Sequence, residues 1–357
     1  MATLEIEYLG LNKRSCVRRF AVAVFVSLLA NCTSFAEEPR TPRELSSLVA
    51  AGIDYTLRQE YGRADSVFEL ALSKYPGHPL GYLYKAAVME ARSMDYLDPL
   101  DFNRYDSLLA IAKSESEKIV DAYPNSPLGY YYRGTAIGYD AYARVDAGNW
   151  LAGIVKGLSA ASDFKKTVEL DSTFYDAYVG VGTYYYWKSR KTEFLNWALG
   201  DRRAEGMNLL RIASERADNN RFAALSALAA IYLDSQQYRE SMECARLALE
   251  RYPENRIFLW ELAEAQEQSG NYADAMRTYQ HLLTNILTAK ISNPYNEILC
   301  RMDIVKAGIA LKETNGLGSQ IDAILAYEHY HFPKNLTNRA KNKFEQARNI
   351  RSQFVVK

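Results

Sequence analysis

The chain carries four histidines, His78, His281, His329 and His331. An imidazole works as a metal ligand or general base only when a second ligand or a nucleophile stands at matching spacing. No HExxH or HxxxH arrangement occurs. His329 and His331, in "HYH", would chelate a metal from an extended segment, but positions two apart diverge on a helix. "GVG" in "YVGVGTYYYW" lacks the preceding strand and the third glycine of a phosphate cradle, which makes it a packing feature. GxSxG, GxxxxGK and CxxC are all missing from the sequence. The carboxylates are spread along helical patterns as solvated faces and nominate no acid–base pair. Asn335, in "NLT", would accept a glycan only on a eukaryotic secretory route. The expectation is a protein that makes and breaks no bonds and uses neither cofactor nor metal.

What remains is surface, and composition bounds it. Lys and Arg number 43 against 43 Asp and Glu, so no overall field draws in nucleic acid, and a charge-driven partner must use a local patch. With 357 residues and 48% apolar content, the chain suits two or three domains or one extended array. Tyrosine stands out, 27 against 13 phenylalanines, which implies many amphipathic side chains at the edge of buried surface.

The amino terminus has the layout of a secretory signal. Lys13, Arg14, Arg18 and Arg19 precede the apolar run Phe20 to Ala30, and Ser34 to Ala36 supply small residues for cleavage. Residues 1–36 are expected to be removed and the rest exported to a bacterial periplasm or outer envelope. The apolar run falls short of the roughly twenty residues that a spanning helix needs. Cys32 resembles the acceptor cysteine of bacterial lipoproteins, yet Asn31 stands where those carry a small residue. Membrane association would require lipidation of Cys32, or contact through a basic helix at the other end. Cys244 and Cys300 would remain, both in helical patterns and expected as unpaired apolar fillers.

"YPGHPLGYLYKA" at 75–86 returns as "YPNSPLGYYYRG" at 123–134, and such duplication calls for a search for repeats. Take Pro76, Pro124, Ser172, Asn219 and Pro253 as markers. Six residues beyond them stand Tyr82, Tyr130, Tyr178, Leu225 and Leu259, and ten beyond stand Ala86, Gly134, Gly182, Ala229 and Ala263. Leu48 and Gly52 fit one unit earlier. This spacing is one face of an amphipathic helix. Glycine inside a helix costs about 1 kcal/mol relative to alanine, so Gly52, Gly134 and Gly182 imply a second helix passing too close for a larger side chain. In "ADSVFELALSKYP" that second helix follows, with Ala64, Phe68 and Ala71 stepping by four and three, and the proline ends it.

These residues resemble the tetratricopeptide repeat, over 45–333. "LVAAGIDYTLRQEYGRADSVFELALSKYP", "YVGVGTYYYW" and "LWELAEAQEQSGNYADAMRTYQHLL" carry the pattern, and "IVKAGIALKETNGLGSQIDAIL" is a weaker seventh copy. The resemblance implies an all-α, right-handed superhelical solenoid of about seven helix-turn-helix units after a linker at 37–44. Residues 334–357 are expected as a basic capping helix. The second to fourth units run to 48, 48 and 47 residues between the markers at 76, 124, 172 and 219, and the next, to 253, spans 34. Each of the three carries an insertion between its helices, either longer helices or a loop.

In the resembled family the first helix of each unit lines a concave face that grips another chain. Carried onto this sequence, that face presents Leu128, Tyr131, Thr135, Gly138 and Tyr139, then Asp176, Val179, Thr183, Tyr186 and Trp187, then Trp260, Glu264 and Glu267. Tyr131, Tyr139, Tyr186, Trp187 and Trp260 would be aromatic anchors for a protein or peptide partner, with Thr135 and Thr183 between them. Tyr130, Tyr178 and Tyr185 are assigned to packing. Arg202 and Arg203, in an insertion with Phe194 and Trp197, offer a basic edge. The expected function is a non-catalytic interaction scaffold of the cell envelope. The competing expectations are a solute-binding or transport-accessory protein and an envelope-assembly lipoprotein anchored through Cys32.

Overall fold

The computed structural model describes residues 40–355 apart from 290 and 292, and Thr41 opens one compact unit. The expected signal segment with its cleavage site and Cys32 lies outside the described residues. Among those described, all regular structure is helical. Seven hairpins follow one another: α1 (Arg43–Leu57) with α2 (Tyr61–Lys74), α3 (Pro79–Tyr96) with α4 (Phe102–Ala122), α5 (Pro127–Asp146) with α6 (Trp150–Leu170), and α7 (Asp176–Lys191) with α8 (Arg203–Arg216). Then come α9 (Arg221–Asp234) with α10 (Tyr238–Arg251), α11 (Arg256–Gln268) with α12 (Tyr272–Thr288), and α13 (Tyr295–Leu311) with α14 (Leu317–Leu325), before a last helix, α15 (Lys334–Val355). Each helix packs on its predecessor and its successor, and α1, α3, α5, α7, α9 and α11 also touch in turn. This is an all-α repeat fold of the tetratricopeptide type.

The duplicated phrase encodes the turn between hairpins. Tyr75 and Tyr123 end α2 and α4, and Pro79 and Pro127 open α3 and α5 at a position whose N–H would go unused. Gly81 and Gly129 sit where a Cβ would strike Leu72 and Val120 of the preceding helix. The tyrosine six residues past each of the first three markers also has a polar task. Tyr82, Tyr130 and Tyr178 donate their hydroxyls to the carbonyls of Pro76, Pro124 and Ser172, at 2.9, 3.2 and 2.8 Å. Each ring therefore fastens its own turn, using acceptors that the end of a helix leaves unpaired.

The glycines at the plus-ten register mark close helix crossings. A Cβ on Gly52 would lie inside the Phe68 ring, and one on Gly134 would lie 3.0 Å from Asp163 Cβ. At Gly182 the obstacle is backbone: Gly206 O would be 2.7 Å away, and Gly206 in turn faces Gly182 O. Two of the three insertions are longer helices, since α3 to α6 run 18 to 21 residues against 14 and 15 in α1 and α2. The third is a folded excursion, a 3-10 turn at Glu193–Leu195 and one helical turn at Asn196–Leu199.

The series also returns on itself across roughly 200 residues. Asn255 donates to Leu57 O at 2.7 Å, Arg256 N–H to Gln59 Oε1 at 3.0 Å, and Tyr252 to Asp54 Oδ1 at 3.1 Å. The ends of α1 and α3 thus meet the starts of α11 and α13. At the centre lies a buried ion pair: Arg256 Nε donates to Asp95 Oδ1 at 2.8 Å, its Nη2 donates to the other oxygen, and Tyr61 OH donates to Asp95 at 2.9 Å. Asn293 and Asn296 donate to the Leu97 and Asp95 carbonyls.

At the other end, α15 buries Leu336, Ala340, Phe344 and Ala347 against α13 and α14. Arg348 and Arg351 of the basic tail pair with Glu328 and Asp322 within the fold. Cys244 and Cys300 are buried free thiols. Burial pushes the Cys244 thiol up to about 12 and the Cys300 thiol higher.

Candidate partner-binding wall

The residues expected on the inner face fall into two groups. Tyr131 and Tyr186 are 6% and 2% exposed and belong to the interior. The Tyr131 ring lies tilted against Phe174, 4.7 Å between centroids, and its hydroxyl accepts from Asn220 Nδ2 at 2.9 Å. Tyr186 donates to Asp234 at 2.8 Å. Both rings are engaged within the fold: α9, the first helix of the next hairpin, packs on α7 and carries Asp234, and Asn220 at its start reaches Tyr131. Tyr139, half-buried, lies close to Glu90 and Asp176, and burial first, then those carboxylates, push its hydroxyl pKa upward. Asp176 itself accepts from the N–H groups of Asn219 and Asn220 at 3.0 and 2.8 Å, so it fixes the turn into α9.

The basic edge is already matched from within. Arg202 forms a two-pronged pair with Glu205 at 2.6 and 2.5 Å and lies 3.4 Å from the Tyr185 ring centroid. Arg203 pairs with Asp201 and Glu193. Neighbouring acids at two, three and ten residues' distance absorb the charge that the sequence pattern offered to a partner. Thr135 bonds back to the Tyr131 carbonyl at 2.8 Å. Thr183, Trp187 and Trp260 stay half-exposed, with Trp187 edge-on to Tyr186 and Trp260 edge-on to Tyr279.

Beside Trp260 the inner helices form an acidic wall. Glu261 and Glu267 are half-exposed on α11, Glu264 and Gln268 are exposed there, and Asp303 faces them from α13. Tyr279 OH donates to Glu267 at 2.7 Å and Gln268 to Glu264 at 3.1 Å. Burial, then Asp303 and Glu267, raise the Glu264 carboxyl above the usual range. Lys306, paired with Asp303 at 2.5 Å, and Lys343 are the cations at its border. Glu261 is the member that sequence pattern did not nominate, because it sits one residue past Trp260 on the side turned to α9. Ser226 donates to its Oε1, while its buried Oε2 has no partner. Burial raises its pKa to about 8.

A carboxyl that is harder to ionise when folded holds its proton longer than the unfolded chain does. Its contribution to stability is therefore present at low pH and lost as pH rises from about 4.5 toward about 8. Glu261→Gln is expected to flatten that decline, raising the melting temperature at pH 8 and leaving it nearly unchanged at pH 5. Parallel melting curves for the two proteins at both pH values would contradict this assignment.

A surface cleft of about 480 Å³ lies where the Lys312 to Leu317 turn meets Met276 and Gln280, and it shares no residue with the wall. Among the described residues no group of three or more His, Cys, Asp and Glu is spaced to hold a metal ion. No helix among them is long and apolar enough to cross a membrane.

No protein-family model and no curated protein matches the chain. Solved structures do resemble it. PilW, a widely conserved type IV pilus biogenesis factor, is 14% identical, covering 69% of this chain and 94% of its own, at a TM-score of 0.45. The C-terminal part of a TPR repeat-containing protein from Cytophaga hutchinsonii is 15% identical over 82% of this chain and 97% of its own, at 0.44. A tetratricopeptide repeat protein from Parabacteroides merdae is 15% identical over 86% and 99%, at 0.38.

Proposed function

We propose that this tetratricopeptide-like array is a non-catalytic scaffold of a bacterial envelope that holds the basic segment of a partner protein along α9, α11 and α13. The observation that carries the reading is the convergence of Glu261, Glu264, Glu267 and Asp303 beside the half-exposed Trp260, with one buried Glu261 oxygen left unpartnered. An aromatic face next to concentrated carboxylates suits lysine and arginine side chains, which bring both charge and a flat or aliphatic stem. Thr183 and Trp187 extend the same line of first helices toward α7. The export that this assigns rests on the amino-terminal pattern of the sequence.

The test is fluorescence anisotropy with a labelled lysine-rich peptide. Binding is expected to weaken as salt rises and to fall about tenfold or more in Glu264→Lys with Gln268→Lys, both exposed positions, with the melting curve preserved. Equal affinity of the variant and the parent protein would remove the wall from the account.

A further inference from the structure

A second surface lies at the far end of the lengthened third hairpin. α6 seats Gly153, Ala160, Ala161 and Phe164 inward, and a Cβ on Gly153 would strike Val145 of α5. Outward it turns Leu151, Ile154, Val155 and Leu158, which are 68, 46, 70 and 57% exposed. These four are spaced as one stripe of a helix. The stripe stops after two turns, at the exposed Ser159 and Ser162. Phe194 and Trp197, 76 and 86% exposed, stand on the excursion that follows α7.

The register of α6 against α7 sets the start of α6 level with the end of α7, from which the excursion departs. A Cβ on Gly180 would strike the Phe164 ring, and one on Gly157 would lie 4.0 Å from the Tyr184 ring. The two helices therefore run antiparallel, and stepping back from Gly157 to Leu151 steps forward from Tyr184 to about Arg190, in the last turn of α7 with Lys188 and Lys191. Lys188 and Lys191 are both exposed there. Neither makes a close ion pair among the described residues: Asp140 is held by Arg144 and Lys156, Glu193 by Arg190 and Arg203, Asp201 by Arg203, and Asp234, which also feels the Lys191 charge, by Arg190, while Lys191 lies 5.9 Å from the Trp187 ring centroid.

We propose that this tip is a membrane-contact site that inserts into the headgroup region of an anionic bilayer. An amphipathic helix lies in that plane with its apolar face a few ångströms deep, Trp and Phe occupy the interface, and lysines take up the anionic headgroups. A second copy of the chain fits less well. Pairing stripe to stripe would cover the apolar side chains, yet Asp140, Glu193 and Asp201 are each held by cations of their own chain, whereas an anionic headgroup layer supplies fresh charge to Lys188 and Lys191.

Hydrogen–deuterium exchange of the full chain, with and without vesicles, tests this. Local protection reports the tip separately from the apolar run at Phe20 to Ala30. Peptides spanning 148–160 and 192–200 are expected to exchange about tenfold more slowly on vesicles of phosphatidylcholine mixed with phosphatidylglycerol than in solution. Phosphatidylcholine alone should protect them less. Leu151→Glu with Val155→Glu should abolish the protection, and Lys188→Glu with Lys191→Glu should abolish its dependence on phosphatidylglycerol. Leu247→Glu, an exposed apolar site on α10, should change neither. Unprotected peptides on anionic vesicles would overturn the proposal. So would protection that appears without vesicles and grows with protein concentration, which would assign the stripe to a second copy.

Discussion

Asp95→Ala is expected to destabilise the array by about 3–5 kcal/mol, read from urea melts followed by circular dichroism. The carboxylate is almost fully buried, and so is the guanidinium it binds. Removing it leaves the Arg256 charge in the interior without a counter-ion, and also takes the acceptor from Tyr61 OH. Such loss exceeds the worth of the pair itself, because desolvation of the surviving charge is no longer offset. Asp95→Leu combined with Arg256→Met should recover much of the loss, since neither charge then remains to be desolvated. Asp95 joins residues 161 positions apart, so the same substitution should speed exchange at both the α3 end and the α11 start. A change below about 1 kcal/mol would mean that the return of the chain onto itself is incidental to its stability.

Gly182→Leu is expected to cost about 3 kcal/mol, at the upper end of what overpacking does. The obstacle is the Gly206 carbonyl, with Leu210 Cγ 2.8 Å from the added Cβ. A side chain swings aside, whereas a backbone carbonyl in the first turn of α8 moves only with its helix. Gly62→Ala is the comparison: nothing lies within 4 Å of its Cβ, and alanine there should gain about 0.5–1 kcal/mol through helix propensity. Equal melting of Gly182→Leu and the parent protein would show that the α7–α8 crossing is looser than described.

The helices and their crossings were legible because a repeat states the same rule several times over. A glycine at one register in three units is informative where a single glycine is not, and Gly52, Gly134 and Gly182 all face a close neighbour. The hydroxyl bonds of Tyr82, Tyr130 and Tyr178 to their markers were not legible as bonds, though the spacing that creates them was. The candidate site was read less well. Periodicity says which face of a helix is inward but not what the chain places against it from 48 or 89 residues away. Tyr131 and Tyr186 therefore read as anchors in the pattern alone, while in the fold Asn220 and Asp234 bond their hydroxyls. Arg202 and Arg203 passed for a free edge because ion pairs at short spacing form only once the excursion folds. Glu261 was missed for the converse reason, since its interest comes from Ser226 and α9 rather than from its own neighbours.

Site-specific photocrosslinking in the source cells tests the scaffold reading most directly, with the crosslinker placed at Glu264 and Gln268 of the wall, and at Ile111 and Leu247 as exposed positions elsewhere. One partner polypeptide should be captured from positions 264 and 268, contacting them through a lysine- or arginine-rich stretch, and not from 111 or 247. Capture from 111 or 247 with none from the wall would contradict the account, as would contact through an acidic or apolar stretch.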